Sequence, residues 1–151
     1  RRTLGDGIGE SLRNMGLSRK ETRERVEKLL ERCGLDKEYA DRYPHQVSGG
    51  QCQRAAIARA LAVEPSVLIC DEATSALDVT VQKQILKLLM ELKQKENFSF
   101  LLICHDLALV QAFCDRVLVL YHGETVESGT PDEIINHPKM DYTKKLIDSV
   151  L

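Results

Sequence analysis

The 151-residue sequence lacks several features that mark common protein classes. It has no tryptophan, only 5% aromatic residues and a net charge of −2, so neither a base-stacking surface nor a basic field points to nucleic acid. Its longest uninterrupted apolar runs, such as Phe100–Cys104 and Val117–Tyr121, are far shorter than the roughly 20 residues of a membrane-spanning helix. We therefore expect no nucleic-acid partner and only a peripheral connection to any membrane, through a partner protein.

The cysteines show neither a CxxC pair nor a metal-ligand spacing. Their number, five, is odd, and two of them lie in apolar runs. This usage favours free thiols in a reducing cytosol over a disulfide framework or a zinc site. The chain also begins with Arg1-Arg2 instead of methionine, which indicates a piece of a longer protein.

The first part of the chain, residues 1–47, is polar and has the spacing of helices. Ser18 precedes a charged stretch whose apolar residues fall at helical spacing as far as Cys33, and Gly34 is placed to end that helix. A shorter helix over Ser11–Met15 is expected before it. These patterns predict a small helical subdomain.

The rest of the chain alternates short apolar runs with helical segments. Val67–Cys70 and Ser99–Cys104 have the apolar continuity of strands that are buried on both faces. After a helix at Leu107–Phe113, Arg116–Tyr121 reads as a third strand, with a hairpin partner beyond Gly123. This strand–helix order predicts an α/β fold with a parallel sheet and right-handed crossovers.

Reactive side chains follow the first two predicted strands. Asp71 and Glu72 come directly after one strand, and His105 and Asp106 come after the next. Ligands of open parallel sheets bind outside the carboxyl ends of the strands. Adjacent carboxylates suit a magnesium–nucleotide site, where one holds the metal and the other addresses a water. A polar strand exit without function is the alternative for either pair alone, and the presence of both favours a site.

Two glycines stand directly before an alanine-rich helical stretch. Ser48 is suited to be the N-cap of that helix. Gly49 and Gly50 would let an anion approach the backbone N–H groups at the positive end of the helix dipole. The pattern predicts a phosphate site, although a flexible loop before a helix is the better explanation when these four residues are taken alone.

Four features occur together in the order and spacing of one known family. They are SGGQ at 48–51, a strand that ends in DE at 71–72, SALD at 75–78 and a strand that is followed by His105. The combination resembles the ATP-binding-cassette (ABC) ATPases over essentially the whole chain. The resemblance implies an α/β fold: the RecA-like parallel sheet of a P-loop NTPase with its helices, and an N-terminal all-helical subdomain that carries the signature motif.

Three residues match positions that act on ATP and Mg²⁺ in that family. Asp71, which ends a segment similar to Walker B, would support the magnesium ion. Glu72 falls at the position of the catalytic glutamate and would polarise the attacking water as general base. His105 matches the switch histidine and would contact the γ-phosphate. The resemblance therefore implies an ATPase whose cofactors are ATP and Mg²⁺.

A second group of residues would act across a dimer interface. Two ATPase subunits, identical or homologous, would sandwich ATP, so that each signature motif binds the γ-phosphate of the nucleotide that its partner subunit holds. The D-loop at 75–78 would tie the two sites together. The cofactor-binding residues that the resemblance implies are Ser48, Gly49, Gly50, Gln51 and Asp78.

Three longer segments narrow the resemblance to a subfamily: YPHQVSGGQCQR, ICDEATSALDVTVQKQIL and the tail NHPKMDYTKKLI. They resemble the oligopeptide, dipeptide and nickel importers. Ala73 stands where proline is usual, and Cys104 stands where serine or threonine often precedes the histidine, but neither change removes a functional group. The resemblance implies a peripheral ATPase subunit at the cytoplasmic face of the cell membrane. Its partners would be transmembrane permease subunits and, indirectly, an external substrate-binding protein.

The phosphate-loop sequence GxxxxGK[ST] is missing, and the glycine cluster Gly5–Gly9 lacks its lysine. We interpret the chain as the second half of a nucleotide-binding domain that is inactive alone. Its expected parts are a helical subdomain at 1–48, the ATPase core at 49–130 and a helical tail at 131–151. The alternatives are a non-transport ABC ATPase, acting in translation or DNA repair, and a non-enzymatic interaction fragment.

A partial domain would also leave apolar strands with unpaired edges, because the strand that leads into the phosphate loop lies in the missing half. Such edges recruit other chains or close on each other. We therefore expect the isolated chain either to self-associate or to pair Ser99–Cys104 directly with Arg116–Tyr121.

Overall fold

The computed structural model describes residues 2–71 and 78–149. They form two compact units, which divide between Ile103 and Cys104. The predicted division at 1–48, 49–130 and 131–151 stays a prediction.

Helices dominate the beginning of the first unit, and each α-helix starts with a reciprocal pair of side-chain to backbone hydrogen bonds. The predicted helix after Ser18 is confirmed, because Ser18 and Glu21 cap it and Gly34 follows it with a φ of +72°. The elements are α1 (Leu4–Asn14), α2 (Arg19–Arg32), two 3₁₀ helices (Lys37–Asp41 and Pro44–Gln46) and α3 (Gly49–Leu61).

The first helix is longer than expected, since it includes the whole glycine cluster. A Cβ atom at Gly5 would lie 2.7 Å from the Ala40 backbone oxygen, and one at Gly9 would lie 2.8 Å from the Thr22 Cγ2 atom. These glycines therefore let α1 approach the first 3₁₀ helix and α2 closely. They do not form a loop, which agrees with the absence of the lysine.

Helix α3 is fastened to the end of α2. The Arg54 Nη1 atom donates a hydrogen bond of 2.9 Å to the Cys33 backbone oxygen, which is one of the carbonyls that a helix end leaves without an N–H donor from the helix itself. Cys33 is fully buried, and burial raises the pKa of its thiol to about 12. The helical part thus provides a fixed support for the beginning of α3.

Two parallel strands complete the first unit, with a long helix between them. Strands β1 (Val67–Asp71) and β2 (Ser99–Ile103) pair in register from Val67 opposite Ser99 to Asp71 opposite Ile103. The helix between them is α4 (Val79–Lys95), and its apolar side is buried.

The prediction that both strands are buried on both faces is wrong. In β1 the side chains alternate: Leu68 and Cys70 are buried, whereas Val67 and Ile69 are 56% and 63% exposed. Alternate residues of β2 are also exposed. A continuous apolar run indicates a strand that could be covered on both faces. Each face is buried only if another helix or sheet packs against it. Here only one face is covered.

In its described residues, the second unit has a hairpin and three short helices. The hairpin turn has positive φ at both central residues, 48° at His122 and 83° at Gly123, as a two-residue type I′ turn requires. The predicted hairpin is therefore confirmed. The elements are α5 (Leu107–Phe113), β3 (Val117–Tyr121), β4 (Glu124–Gly129), α6 (Pro131–Asn136) and α7 (Asp141–Asp148).

Two expectations about the third strand are wrong. Strand β3 does not extend the parallel sheet, because its hydrogen-bonded partner in the described residues is the antiparallel strand β4. The direct pairing of Ser99–Cys104 with Arg116–Tyr121 is also absent from the part of the chain that the structure describes, where β2 pairs with β1 and β3 pairs with β4. The tight turn places β4 against one edge of β3, and this is the pairing that forms. Self-association, the other expected outcome, stays a prediction.

Candidate functional site

The start of α3 has the geometry that the sequence predicts for Ser48. Its Oγ atom accepts the Gln51 N–H at 3.2 Å, and the Gln51 Oε1 atom accepts the Ser48 N–H at 2.9 Å. The first bond of the helix itself runs from the Cys52 N–H to the Ser48 backbone oxygen, at 2.9 Å. The predicted N-cap is therefore confirmed.

The amides of Gly49 and Gly50 lie inside this capping pair. They belong to the first two residues of α3, and a helix start leaves such N–H groups without a helix carbonyl to accept them. Ser48 and Gly49 are exposed and Gly50 is half-buried. The positive end of the helix dipole adds to the attraction for an anion here.

Gly50 also has a packing role that the sequence did not reveal. A Cβ atom at this position would lie 2.8 Å from the Cγ1 atom of Val81, in the first turn of α4. The absence of a side chain therefore lets the starts of α3 and α4 approach each other. One glycine serves the packing of two helices as well as the exposure of backbone amides.

Asp78 has a defined structural role at that same turn of α4. It is the N-cap residue, and its Oδ1 atom accepts the Val81 N–H at 3.0 Å. Through Val81, the structure thus links two predicted groups, the signature-like start of α3 and the last residue of the D-loop-like segment. The predicted action of Asp78 across a dimer interface stays a prediction.

The Gln51 carboxamide is occupied at both ends within the chain. Its Nε2 atom donates a hydrogen bond of 2.8 Å to the Tyr39 hydroxyl, while its Oε1 atom accepts from Ser48. A nucleotide contact through the Gln51 side chain therefore stays a prediction. Sequence reasoning missed Tyr39 entirely, because it lies twelve residues away and no local pattern relates the two.

Asp71 is the last residue of β1, is exposed, and lies opposite Ile103 in the ladder. This position, at the carboxyl end of a parallel strand, fits the predicted metal-supporting role, since Mg²⁺ commonly uses one or two carboxylates together with phosphates and waters. Glu72, the predicted base, lies outside the described residues, as do positions 75–77. In the described residues no group of three or more histidine, cysteine or acidic side chains could hold a metal ion.

His105 lies in the second unit, where its side chain is exposed. Its neighbour Asp106 is the N-cap of α5 and accepts the Ala108 and Leu109 N–H groups at 2.9 and 3.2 Å. Asp106 is therefore explained by helix capping, and the contact of His105 with a phosphate stays a prediction.

Comparison with known proteins identifies the family. A sequence profile described as "ABC transporter" matches residues 5–75. The oligopeptide transport ATP-binding protein OppF of Escherichia coli (strain K12) is 48% identical over 152 residues, which cover 99% of this chain and 46% of that protein. The chain belongs to the ABC transporter family. The dipeptide transport ATP-binding protein DppF of the same organism is 45% identical, with 99% and 45% covered, and these relatives support the oligopeptide and dipeptide importer subfamily.

Solved structures of ABC ATPases confirm the fold class. CbiO1 from Clostridium perfringens, described as part of the ABC transporter complex CbiONQ, has a TM-score of 0.79 and 33% identity, and the match covers 99% of this chain and 57% of that one. The ATP-binding cassette MJ0796, solved as a dimer bound to ADP and Pi, has a TM-score of 0.73 and 31% identity over 86% of this chain and 57% of that one. The chain spans about half the length of the curated relatives that it matches.

None of the helices in the described ranges, 2–71 and 78–149, has the length and apolar character needed to cross a membrane.

Proposed function

We propose that the chain is part of the ATP-hydrolysing subunit of an ABC importer that takes up peptides. The observation that carries the proposal is the start of α3, where Ser48 caps the helix and the following glycine amides are left for an anion. The similarity to relatives named for oligopeptide and dipeptide transport supports the proposal. The glutathione import ATP-binding protein GsiA of Escherichia coli O6:H1 supports it too. It is 49% identical, and the match covers 99% of this chain and 24% of that protein. These names favour peptides over nickel as the transported class.

The residues of this chain would divide the work on ATP between two subunits. The backbone N–H groups of Gly49 and Gly50, together with the Ser48 hydroxyl, would donate hydrogen bonds to the γ-phosphate of the nucleotide that a second ATPase subunit holds. The Ser48 N–H is already donated to the Gln51 side chain. The two glycine N–H groups need no reorientation when the phosphate arrives, because the capping pair fixes the helix start. Asp78 caps α4 through Val81, and Val81 lies against Gly50. Asp78 would therefore be coupled to the interface between the two ATPase subunits.

Hydrolysis would depend on the carboxylates after β1 and on the histidine. Mg²⁺, when bound with ATP, neutralises charge that develops on the phosphates. Asp71 would hold the ion's ligand shell at the end of β1. Glu72 would accept a proton from the attacking water, and His105 would donate a hydrogen bond to the γ-phosphate.

The proposed assembly has the ATPase subunits at the cytoplasmic face of the membrane. They would bind transmembrane permease subunits, which in turn receive substrate from an external binding protein. Selectivity for a particular peptide would then lie outside this chain.

Uptake by cells tests the proposal. The whole gene is replaced by a Glu72→Gln variant, with Glu91→Gln as the control, because Glu91 is an exposed residue of α4 away from the strand end. We expect uptake of a labelled oligopeptide to be lost in the first strain and kept in the second, at equal protein levels. Unchanged peptide uptake in the Glu72→Gln strain would contradict the proposal, and loss of nickel uptake alone would replace peptide by nickel as the substrate.

A further inference from the structure

The hydrogen bond between Tyr39 and Gln51 joins the first 3₁₀ helix to the signature-like start of α3. The Tyr39 hydroxyl accepts from the Gln51 Nε2 atom at 2.8 Å, and the Tyr39 side chain is half-buried. Through Gln51 Oε1, the connection continues to the Ser48 N–H at 2.9 Å. The Tyr39 hydroxyl, the Gln51 carboxamide and the Ser48 N–H are therefore joined by consecutive hydrogen bonds that end at the N-cap of α3.

This arrangement fixes which way the Gln51 carboxamide points. A glutamine side chain has several rotatable bonds, and its last torsion is broad. The bond to Ser48 requires the oxygen to face the helix start, and the Tyr39 hydroxyl provides a partner for the nitrogen in that same orientation. Without the hydroxyl, the nitrogen would lose this partner and the carboxamide could rotate away from Ser48.

Tyr39 is itself held on a firm support. The Asp36 Oδ1 atom caps its 3₁₀ helix by accepting the Glu38 N–H at 2.9 Å. The next residues are also fixed: Ala40 is buried, and Asp41 accepts hydrogen bonds of 2.6 and 2.9 Å from Arg23 of α2. The helical part of the unit can therefore impose the position of Tyr39 on Gln51.

We propose that Tyr39 is a positioning residue for the phosphate-binding start of α3, where its hydroxyl holds Gln51 so that the Gly49 and Gly50 amides are preorganised for an anion. This inference rests on the proposed function. Tyr39 would not touch the nucleotide, and Gln51 would act as a brace for the helix start. Preorganisation increases affinity because the ligand does not have to order the site.

The test uses the whole protein in a Glu72→Gln background, where ATP-dependent dimers should accumulate because the proposed general base is removed. In Tyr39→Phe only the hydroxyl is removed. We expect the ATP concentration for half-maximal dimer formation to rise by about two- to tenfold, the effect of one lost hydrogen bond. ATP binding to the subunit's own site, measured on dilute monomer, should not change. Tyr142→Phe, which removes the same atom from α7 in the second unit, should leave both quantities unchanged.

A double-mutant cycle with Gln51→Ala separates positioning from a general structural role. If Tyr39 acts through Gln51, Tyr39→Phe has no further effect once Gln51 is alanine. Equal effects of Tyr39→Phe in both backgrounds would overturn the inference, as would a dimer titration that matches the parent. If the parent itself forms no ATP-dependent dimer, the proposed function fails and this inference fails with it, whereas a parent dimer with an inert Tyr39→Phe rejects the inference alone.

Discussion

Two helix starts in this chain satisfy the same electrostatic demand in different ways. Any helix start presents backbone N–H groups without acceptors at the positive end of its dipole. Just before α7, where the N-cap Met140 makes no side-chain capping bond, Glu127 of β4 accepts the Lys139 and Met140 N–H groups at 2.9 and 3.1 Å. At α3 the cap is the local residue Ser48. One helix start is thus served by a distant carboxylate and the other by its own N-cap.

The difference separates a structural helix start from one that is available to a ligand. Glu127 connects the start of α7 to the hairpin. The negative charge at this helix start is therefore supplied by a side chain of the protein itself. At α3, no carboxylate among the described residues accepts from Gly49 or Gly50. The attraction of a helix start for negative charge therefore holds α7 against the hairpin in the second unit. In the first unit it leaves the start of α3 available to an external anion.

The largest expected effect concerns hydrolysis and leaves both helix starts intact. Glu72→Gln in the whole protein should lower the ATPase rate by roughly 10²–10⁴, since a general base is removed, while ATP still binds. Steady-state hydrolysis and equilibrium ATP binding measure the two parts, with Glu91→Gln as the matched control. A rate within a few-fold of the parent would remove Glu72 from the proposed mechanism.

The second prediction concerns another part of the first unit that is open to a partner, the uncovered face of the two-stranded sheet. The isolated 151-residue chain should self-associate, because β1 and β2 expose apolar side chains and strand edges. Leu101→Lys, at a 47% exposed position of β2, should weaken association, whereas Met15→Lys, at a 61% exposed position after α1, should not. Sedimentation velocity over a wide concentration range measures this. A parent that stays monomeric throughout is the contrary result.

The third prediction separates the two roles of Gly50. Gly50→Ala should destabilise the whole protein by about 1–3 kcal/mol, because the new Cβ atom overlaps Val81. Adding Val81→Ala should recover most of that loss by making room. Urea unfolding of the single and double variants measures it. If Gly50→Ala unfolds like the parent, the glycine serves the ligand alone.

The smallest expected effect is at the other helix start and depends on pH. The nearby Thr143 hydroxyl and the Lys139 and Met140 N–H groups hold the pKa of Glu127 below its usual range. Because the pKa is lower in the folded state, the stabilisation is present above the usual glutamate range and is lost as the pH falls through the folded value.

Amide hydrogen exchange can detect this contribution. The protection factors of α7 should fall at acid pH relative to those of α3, whose capping pair of Ser48 and Gln51 contains no carboxylate. Glu127→Gln should reduce them already at neutral pH, and the control Glu124→Gln, an exposed residue of the same strand, should not. Equal protection of α7 in the parent and in Glu127→Gln would show that the carboxylate does not secure the tail.

The comparison also explains which features were predictable. Ser18, Gly34 and Ser48 were assigned correctly because capping involves residues within three or four positions of each other. The hairpin turn at Gly123 is equally local. In contrast, the exposure of Val67 depends on which other elements cover the sheet in the folded protein, and no pattern within the strand contains that information.

Long-range contacts account for most of the remaining differences. The bond from Gln51 to Tyr39 and the bonds from Glu127 to the α7 start depend on the folded positions of separate elements. Tyrosine and glutamate at those positions have no distinctive spacing. The close approach of Gly50 to Val81 was missed for the same reason, because an anion site alone already explained the glycine.

The most direct test of the central claim compares two N-cap substitutions in the whole Glu72→Gln protein. Ser48→Arg places a bulky side chain over the start of α3, while Ser18→Arg removes an equivalent cap, with the same reciprocal bonds, at the start of α2. Each loses a cap worth about 1 kcal/mol of stability. Gel filtration with ATP should show the dimer for the parent and for Ser18→Arg, but only monomer for Ser48→Arg, with ATP still bound to its own site. An ATP-dependent dimer of Ser48→Arg would contradict the claim that the start of α3 receives the partner's phosphate.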